Sequence, residues 1–351
     1  MKRLVFYFLV LINSFAFAQN EEMDFLSKQI EALNHRLDVL EKKTDDNLWY
    51  QRVGDKAFID KVYITGPPRW KVDNPNAMGA NNPLKFWSYI FIPKGLDLSK
   101  KYPLIVLPHG GVHADFTTYH THIIKELLYQ KYIIVCPEYR GSTGYGQGYY
   151  NNIDYGGLEV DDCDAARQYM IDNYDFINKN KVGIVGWSHG GLIAFMSGSK
   201  FSKNYAAVYA GVPVSDLVMR MGYYDDEYRD LYSSPHHIGE TAMDNLEEYK
   251  KRSPVWNVKD FDCPLLIHTN TNDDDVNYIE VEHLIQALKA ENKKFEYEVF
   301  QDAPGGHSFN RIDIKNAREI RLKIYKFLNK NLNPDNPITN LDQIQKAAYI
   351  E

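Results

Sequence analysis

The sequence predicts an α/β fold: a mostly parallel, doubly wound sheet preceded by a helical extension. Three observations predict it. Short apolar, β-branched runs alternate with helical stretches from Tyr102 to Leu332. One run, Lys181-Val182-Gly183-Ile184-Val185, leads into Gly186-Trp187-Ser188-His189-Gly190-Gly191 and then into the apolar stretch Leu192-Ile193-Ala194-Phe195-Met196. Glycine-, histidine- and aspartate-bearing pieces fall at the ends of other predicted strands, where open sheets of this kind bind ligands.

The chain has 351 residues, 44% hydrophobic and 25% charged, which suits one large globular domain or two small ones. Net charge is −7 and no basic run occurs, so nucleic acid is not an expected partner. The 26 tyrosines exceed what a core needs and point to a binding surface built from amphipathic rings.

Residues 1–18 read as a signal peptide. Lys2 and Arg3 precede the apolar run Leu4 to Ile12, and Ala16-Phe17-Ala18 supplies a cleavage site. Export to the periplasm or medium is the expectation. No cysteine follows the apolar run, so no lipid anchor is expected. Cys136, Cys163 and Cys263 cannot all pair, and Cys136 and Cys263 adjoin apolar runs as small core residues.

Residues 19–48 read as a polar helix. Met23, Leu26, Ile30, Leu33, Leu37 and Leu40 recur every three or four positions, a seam of about three heptads. Such a seam fits either self-association through residues 20–44 or docking on the chain's own domain. Residues 49–100 lead edge strands onto the sheet, with strand-like Ala57-Phe58-Ile59 and Phe86 to Ile92 separated by a Pro-, Asn- and Gly-rich loop from Gly66 to Pro83.

The catalytic domain is expected over 101–333. Predicted strands are Leu104–Leu107, Tyr132–Cys136, the run before Ser188, Tyr205–Tyr209, Pro264–His268 and Phe295–Phe300. Predicted helices are His122–Tyr129, one within Gly157–Tyr174, Tyr278–Glu291 and Ala317–Leu332. Residues 334–351 read as a C-terminal tail.

Strand, tight turn and helix make the G-x-S-x-G of residues 186–190 a nucleophile elbow, which lifts Ser188 above the sheet in a strained conformation. Asp273-Asp274-Asp275-Val276 and Gly305-Gly306-His307 follow later strands, giving the order Ser, Asp, His of the α/β-hydrolases. A serine hydroxyl is a weak nucleophile, so His307 would take its proton. A buried carboxylate would fix the imidazole tautomer. Fixed amides would receive the developing oxyanion charge, with the His189 N–H and one from the His109-Gly110-Gly111 turn as the natural pair. His109 itself reads as a residue that orients the turn. His120, His122, His236 and His237 gain no carboxylate or cysteine to complete a metal set, so neither metal nor cofactor is expected.

The stretch from about Leu104 to Leu328 resembles the catalytic domain of the prolyl oligopeptidase family of serine peptidases. The resemblance rests on His109-Gly110-Gly111, Glu138-Tyr139-Arg140-Gly141-Ser142-Thr143-Gly144-Tyr145-Gly146, the Ser188 motif, Ser253-Pro254 and Asp273-Asp274-Asp275-Val276. It implies that Ser188 is the nucleophile, His307 the base, Asp273 its partner and Gly111 the oxyanion-side glycine. It also implies a specificity pocket of Tyr224 and Tyr228, with Trp187 beside the nucleophile as a further substrate-binding candidate. The pair Tyr224 and Tyr228, four apart, would share one face of a helix.

Two departures bear on substrate. Fewer than a hundred residues precede the predicted sheet and no blade-like repeat is visible, whereas family peptidases usually carry a β-propeller there. Asp275 stands where dipeptidyl peptidases place an asparagine. The expectation is a peptidase acting on short, unblocked or lightly blocked peptides. A carboxylesterase for acetyl or feruloyl esters is the alternative, and a catalytically silent binding scaffold is the alternative from another class.

Overall fold

The computed structural model describes residues 2–72 and 74–349, with side chains from residue 21 onward. The expected signal peptide, residues 1–18, lies outside the described side chains. Helix α1 (Lys2–Val53) leads into the antiparallel pair β1 (Ala57–Pro68) and β2 (Pro83–Pro93). The chain then runs β3 (Tyr102–Val106), α2 (Thr121–Tyr129), β4 (Ile133–Glu138), α3 (Gln147–Tyr150), α4 (Glu159–Asn173), β5 (Ile177–Trp187) and α5 (His189–Lys200). It continues through β6 (Ala207–Gly211), α6 (Leu217–Tyr223), α7 (Asp226–Ser233), α8 (Leu246–Lys251), β7 (Leu265–Asn270) and α9 (Tyr278–Ala290). It closes with β8 (Glu296–Phe300), α10 (Lys315–Leu332) and α11 (Leu341–Ala348).

The eight strands form one sheet in the order β1-β2-β4-β3-β5-β6-β7-β8. From β4 to β8 all neighbours are parallel, and β1 and β2 are added antiparallel at one edge. The expected α/β-hydrolase architecture is what the chain adopts. The inner strands are buried on both faces because helices cover both. Leu104 and Val106 join the core on one face with Leu192 and Phe195, while Ile105 and Leu107 join the other with Ile320, Ile324 and Leu328. The two-residue period of a strand sorts alternate side chains to opposite sides. Helix α5 is buried from His189 to Ser199, as a helix packed centrally must be.

Two boundaries differ from the sequence reading. The first helix does not stop near 48, because Trp49 and Val53 are core residues. Trp49 stacks on Phe116 at 5.4 Å and meets Phe91 edge-on at 5.0 Å. Two turns earlier, the buried Lys42 ammonium lies 2.6 Å from Glu138 and 2.8 Å from Asp115. Asp45 accepts from the Thr118 backbone N–H at 3.0 Å. The apolar seam is not part of this docking: Met23, Leu26, Ile30, Leu33, Leu37 and Leu40 are all 48–65% exposed. Intramolecular docking of the seam is therefore overturned.

The supposed tail beyond 333 is also part of the domain. Ile338 and Ile344 are fully buried against the α2 and α10 side of the sheet. Asn340 caps α11 by accepting from the Gln343 N–H.

Candidate active site

Ser188 stands between β5 and α5 with φ 59° and ψ −124°, a conformation an L-residue holds only under constraint, at a cost of about 1–3 kcal/mol. The constraint is main-chain packing. The Ser188 N–H donates to Gly211 O at 2.9 Å, and Ser188 O accepts from Leu192 N and Val214 N. A Cβ on Gly186 would collide with the Gly190 carbonyl, so only glycine lets strand and helix meet here.

Across the sheet, β7 and β8 carry the other two groups. Asp273 follows β7 with its side chain fully buried, and both oxygens approach His307 Nδ1, at 3.0 and 2.9 Å. Its Oδ1 also accepts the N–H groups of Asp275 (3.0 Å) and Val276 (2.9 Å). Asp274 is exposed, and it is Asp273, not Asp274, that is hydrogen-bonded to His307. The histidine sits on a short 3₁₀ turn entered through Gly305 at φ 105° and Gly306 at φ 52°. Arg311 Nη2 donates to His307 O at 2.6 Å and fixes that turn from behind. His307 Nε2 forms no hydrogen bond with Ser188 Oγ here, and Asp275 Oδ2 lies 3.8 Å from it.

The His109-Gly110-Gly111 turn approaches the serine closely. A Cβ on Gly110 would stand 3.3 Å from Ser188 Cβ, and Gly111 follows with φ 84°. The His189 N–H, at the start of α5, donates to no acceptor among the described residues, as the first turn of a helix allows. His109 is buried and braced by Ser142 Oγ at 2.8 Å and the Tyr139 hydroxyl at 3.1 Å. Burial pulls its pKa down to about 4, which keeps it neutral and suits it to orienting the turn. His113, in the same turn, stacks on Tyr150, and His35 of α1 meets Tyr150 edge-on at 5.0 Å. The N-terminal helix thus reaches His113 through the rings of His35 and Tyr150.

The acyl side departs from the expected pocket. Tyr224 and Tyr228 are not on one helix: α6 ends at Tyr223 and α7 starts at Asp226, capped by Asp225. Their rings nevertheless stack at 3.9 Å, brought together by the chain reversal. Arg220 fills the space beside them, its guanidinium 4.6 Å from the Tyr224 ring and 5.0 Å from the Tyr228 ring. Arg220 donates to Asp275 Oδ1 at 2.7 Å and to the Tyr228 hydroxyl at 2.7 Å, and Tyr224 donates to the same Asp275 oxygen at 2.8 Å. Glu280, fully buried below, pairs with Arg220 at 3.5 Å. Burial pushes the Glu280 carboxyl up. Burial opposes ionisation of Asp275 too, but His307, Arg220 and the Tyr224 hydroxyl together hold it below the usual carboxylate range.

Trp187 does not face the site. It is 4% exposed and packs edge-on against Tyr209 in the core. Strand alternation places it in the core on the face that also holds Val185 and Tyr209. Among the described residues, no three His, Cys, Asp or Glu side chains are grouped to hold a metal ion. Arg220, Glu280 and Arg311 escaped the sequence reading. For Asp275 the sequence carried a signal, its place beside the aspartate partner, but not its role.

Comparison with known proteins agrees with this geometry. The prolyl oligopeptidase family profile matches residues 119–335, more than half of the chain. The chain is 26% identical over 236 residues to an acylamino-acid-releasing enzyme of Mus musculus, covering 66% of this chain and 31% of that protein. It is 28% identical over 236 residues to an uncharacterized peptidase of Bacillus subtilis, covering 67% and 35%. The chain thus spans about a third of the length of these curated relatives. The dipeptidyl peptidase 4 structure from Porphyromonas gingivalis superposes with a TM-score of 0.62 at 22% identity, over 79% of this chain and 36% of that one. A puromycin hydrolase superposes with a TM-score of 0.65 at 18% identity, over 81% and 41%. The structural likenesses carry the fold, the sequence match carries the family, and on that match the chain belongs to the prolyl oligopeptidase family.

Proposed function

We propose that this protein is an exported serine peptidase that removes single residues from short peptides with a free amino end. The observation that carries the reading is His307 between two carboxylates, Asp273 at Nδ1 and Asp275 beside Nε2, in a chain that also holds Ser188 in an elbow at the end of β5. Ser188 Oγ adds to the scissile carbonyl carbon and its proton passes to His307 Nε2. Asp273 holds the tautomer and stabilises the imidazolium. The N–H groups of His189 and Gly111 receive the oxyanion. The imidazolium then protonates the departing amine, leaving an acyl-enzyme that water cleaves by the same steps in reverse. The Ser188–His307 hydrogen bond, absent from the free protein, forms when substrate is bound, since catalytic hydrogen bonds often close only in the complex.

Asp275 supplies the preference for a free amine. One of its oxygens is committed to Arg220 and Tyr224, and the other is free beside Nε2. In an amino-terminal residue the ammonium is two bonds from the scissile carbonyl carbon, so it reaches a carboxylate placed there. A dipeptide's ammonium would lie three atoms further away. Export rests on the signal-like residues 1–18 and predicts a mature chain that begins at Gln19, read by amino-terminal sequencing of secreted protein.

The test is kcat/KM on matched substrates: alanine anilide, its N-acetyl form, glycyl-proline anilide, a feruloyl methyl ester and an acetyl ester. Alanine anilide should lead. If a natural-type ester exceeds every amide by about a thousandfold, roughly 4 kcal/mol of transition-state preference, the protein is an esterase.

A further inference from the structure

Helix α1 presents two separate faces. Glu31, His35, Lys42, Asp45 and Trp49 meet the chain's own domain, through Gln147, Tyr150, Glu138, Thr118 and Phe116 respectively. The seam of Met23, Leu26, Ile30, Leu33, Leu37 and Leu40 points about 130° away around the axis at 3.6 residues per turn. Every seam residue is 48% exposed or more. The seam also keeps the 3.5-residue spacing that a partner helix imposes and a globular surface does not. It ends where Thr44 and Asn47 replace its apolar residues, at the level where the helix enters its own domain.

We propose that this seam pairs with the same seam of a second copy, in a parallel two-stranded coiled coil that joins two catalytic domains side by side. Leucine at every d position (Leu26, Leu33, Leu40) with Ile30 at the central a position favours two strands. Charge complementarity favours self-pairing in parallel. Arg36 flanks the seam at a g position and Glu41 at the following e position, so each Arg36 faces the other copy's Glu41, twice per dimer. Neither forms an ion pair within its own chain among the described residues, and both are exposed. The partner is therefore a second copy of this chain.

The test is sedimentation equilibrium on the full chain. The wild type should have twice the monomer mass at micromolar concentration. The double variant Leu33→Glu/Leu37→Glu should be monomeric, with unchanged thermal unfolding and unchanged turnover per chain, since both residues are exposed. Arg36→Glu should weaken the dimer several-fold, and Arg36→Glu with Glu41→Arg should restore it. Leu26→Cys should cross-link to its own counterpart under oxidation, which an antiparallel pair would prevent by facing it with Leu37. A wild type that stays monomeric to hundred-micromolar concentration would overturn the proposal. So would a dimer that survives Leu33→Glu/Leu37→Glu, or a trimer or tetramer. Failure of the cross-link with an intact dimer would overturn the parallel order.

Discussion

The two sides of His307 are built by different means. On the Nδ1 side, Asp273 is buried and fixed by backbone N–H groups of its own loop. On the Nε2 side, Asp275 has a 43% exposed side chain, held by Arg220 and Tyr224 from α6 and the turn after it. The same short loop thus sets one carboxylate at His307 Nδ1 and a second beside its Nε2. Groups held by main chain tolerate little change in position. Groups held by side chains can be retuned without moving the sheet, and that suits specificity.

Breaking the machinery common to both sides gives the largest effect. Ser188→Ala should lower kcat by about 10⁶ while leaving the fold intact. Retained turnover in that variant would sink the triad and everything built on it. Next comes the Nδ1 side alone. Asp273→Asn should lower kcat by about 10⁴, because an amide holds the imidazole in the wrong tautomer. Asp274→Asn should change it only a few-fold, since that carboxylate is exposed. Reversal of this ranking would mean the register of the loop is other than described.

The Nε2 side should respond selectively. Asp275→Asn should lower kcat/KM for alanine anilide about ten- to a hundredfold, the worth of one charge-assisted contact, and leave N-acetylalanine anilide nearly unchanged. Glu280 still pairs with Arg220 in this variant, so the fold should hold. Asp275 titrates below the usual carboxylate range, so it is ionised throughout the neutral region and only strong acid removes its charge. The contact is lost instead on the alkaline side, as a substrate α-amine deprotonates near about pH 8. An alkaline fall in kcat/KM for the free-amine substrate, absent for its acetyl form and absent in Asp275→Asn, is the expected signature. Equal losses on both substrates would return Asp275 to a role in positioning His307.

This division also explains what the sequence disclosed. The elbow was legible because a main-chain collision dictates its residues: glycine on both sides of Ser188, a β-branched strand before it and an apolar helix after it. The sheet was legible because burial on both faces leaves continuous apolar runs. The acyl-side cluster was not, since Arg220 reads as a surface charge on a short helix until the fold brings Asp275 and Glu280 to it. The four-residue interval of Tyr224 and Tyr228 suggested one helix, yet the chain turns extended at Tyr224, with ψ 162°, and restarts at Asp225. Trp187 is adjacent to Ser188 in sequence but is buried against Tyr209 in the core. The packing of Ile344 was hidden because α11 is too short to declare an apolar periodicity, and that of Ile338 because it stands alone in the loop before that helix.

The smallest predicted effect is also the sharpest test of how the Nε2 side is held. Tyr224 contributes two things, a ring stacked on Tyr228 and a hydroxyl donated to Asp275 Oδ1. Tyr224→Phe removes only the second. Arg220 still donates to that oxygen, so Asp275 stays in place but loses one of its two anchors. One neutral donor is worth about 1 kcal/mol, which corresponds to roughly a fivefold rise in KM for alanine anilide. Turnover of the N-acetyl substrate should not change, and the alkaline fall in kcat/KM should remain, because the carboxylate is still there. Tyr224→Ala removes the ring as well, uncovers one face of the Arg220 guanidinium and should cost more on both substrates. If Tyr224→Phe and Tyr224→Ala behave alike, the hydroxyl alone matters. If Tyr224→Phe is silent while Tyr224→Ala is not, Arg220 alone holds Asp275 and the tyrosine serves only to cover it.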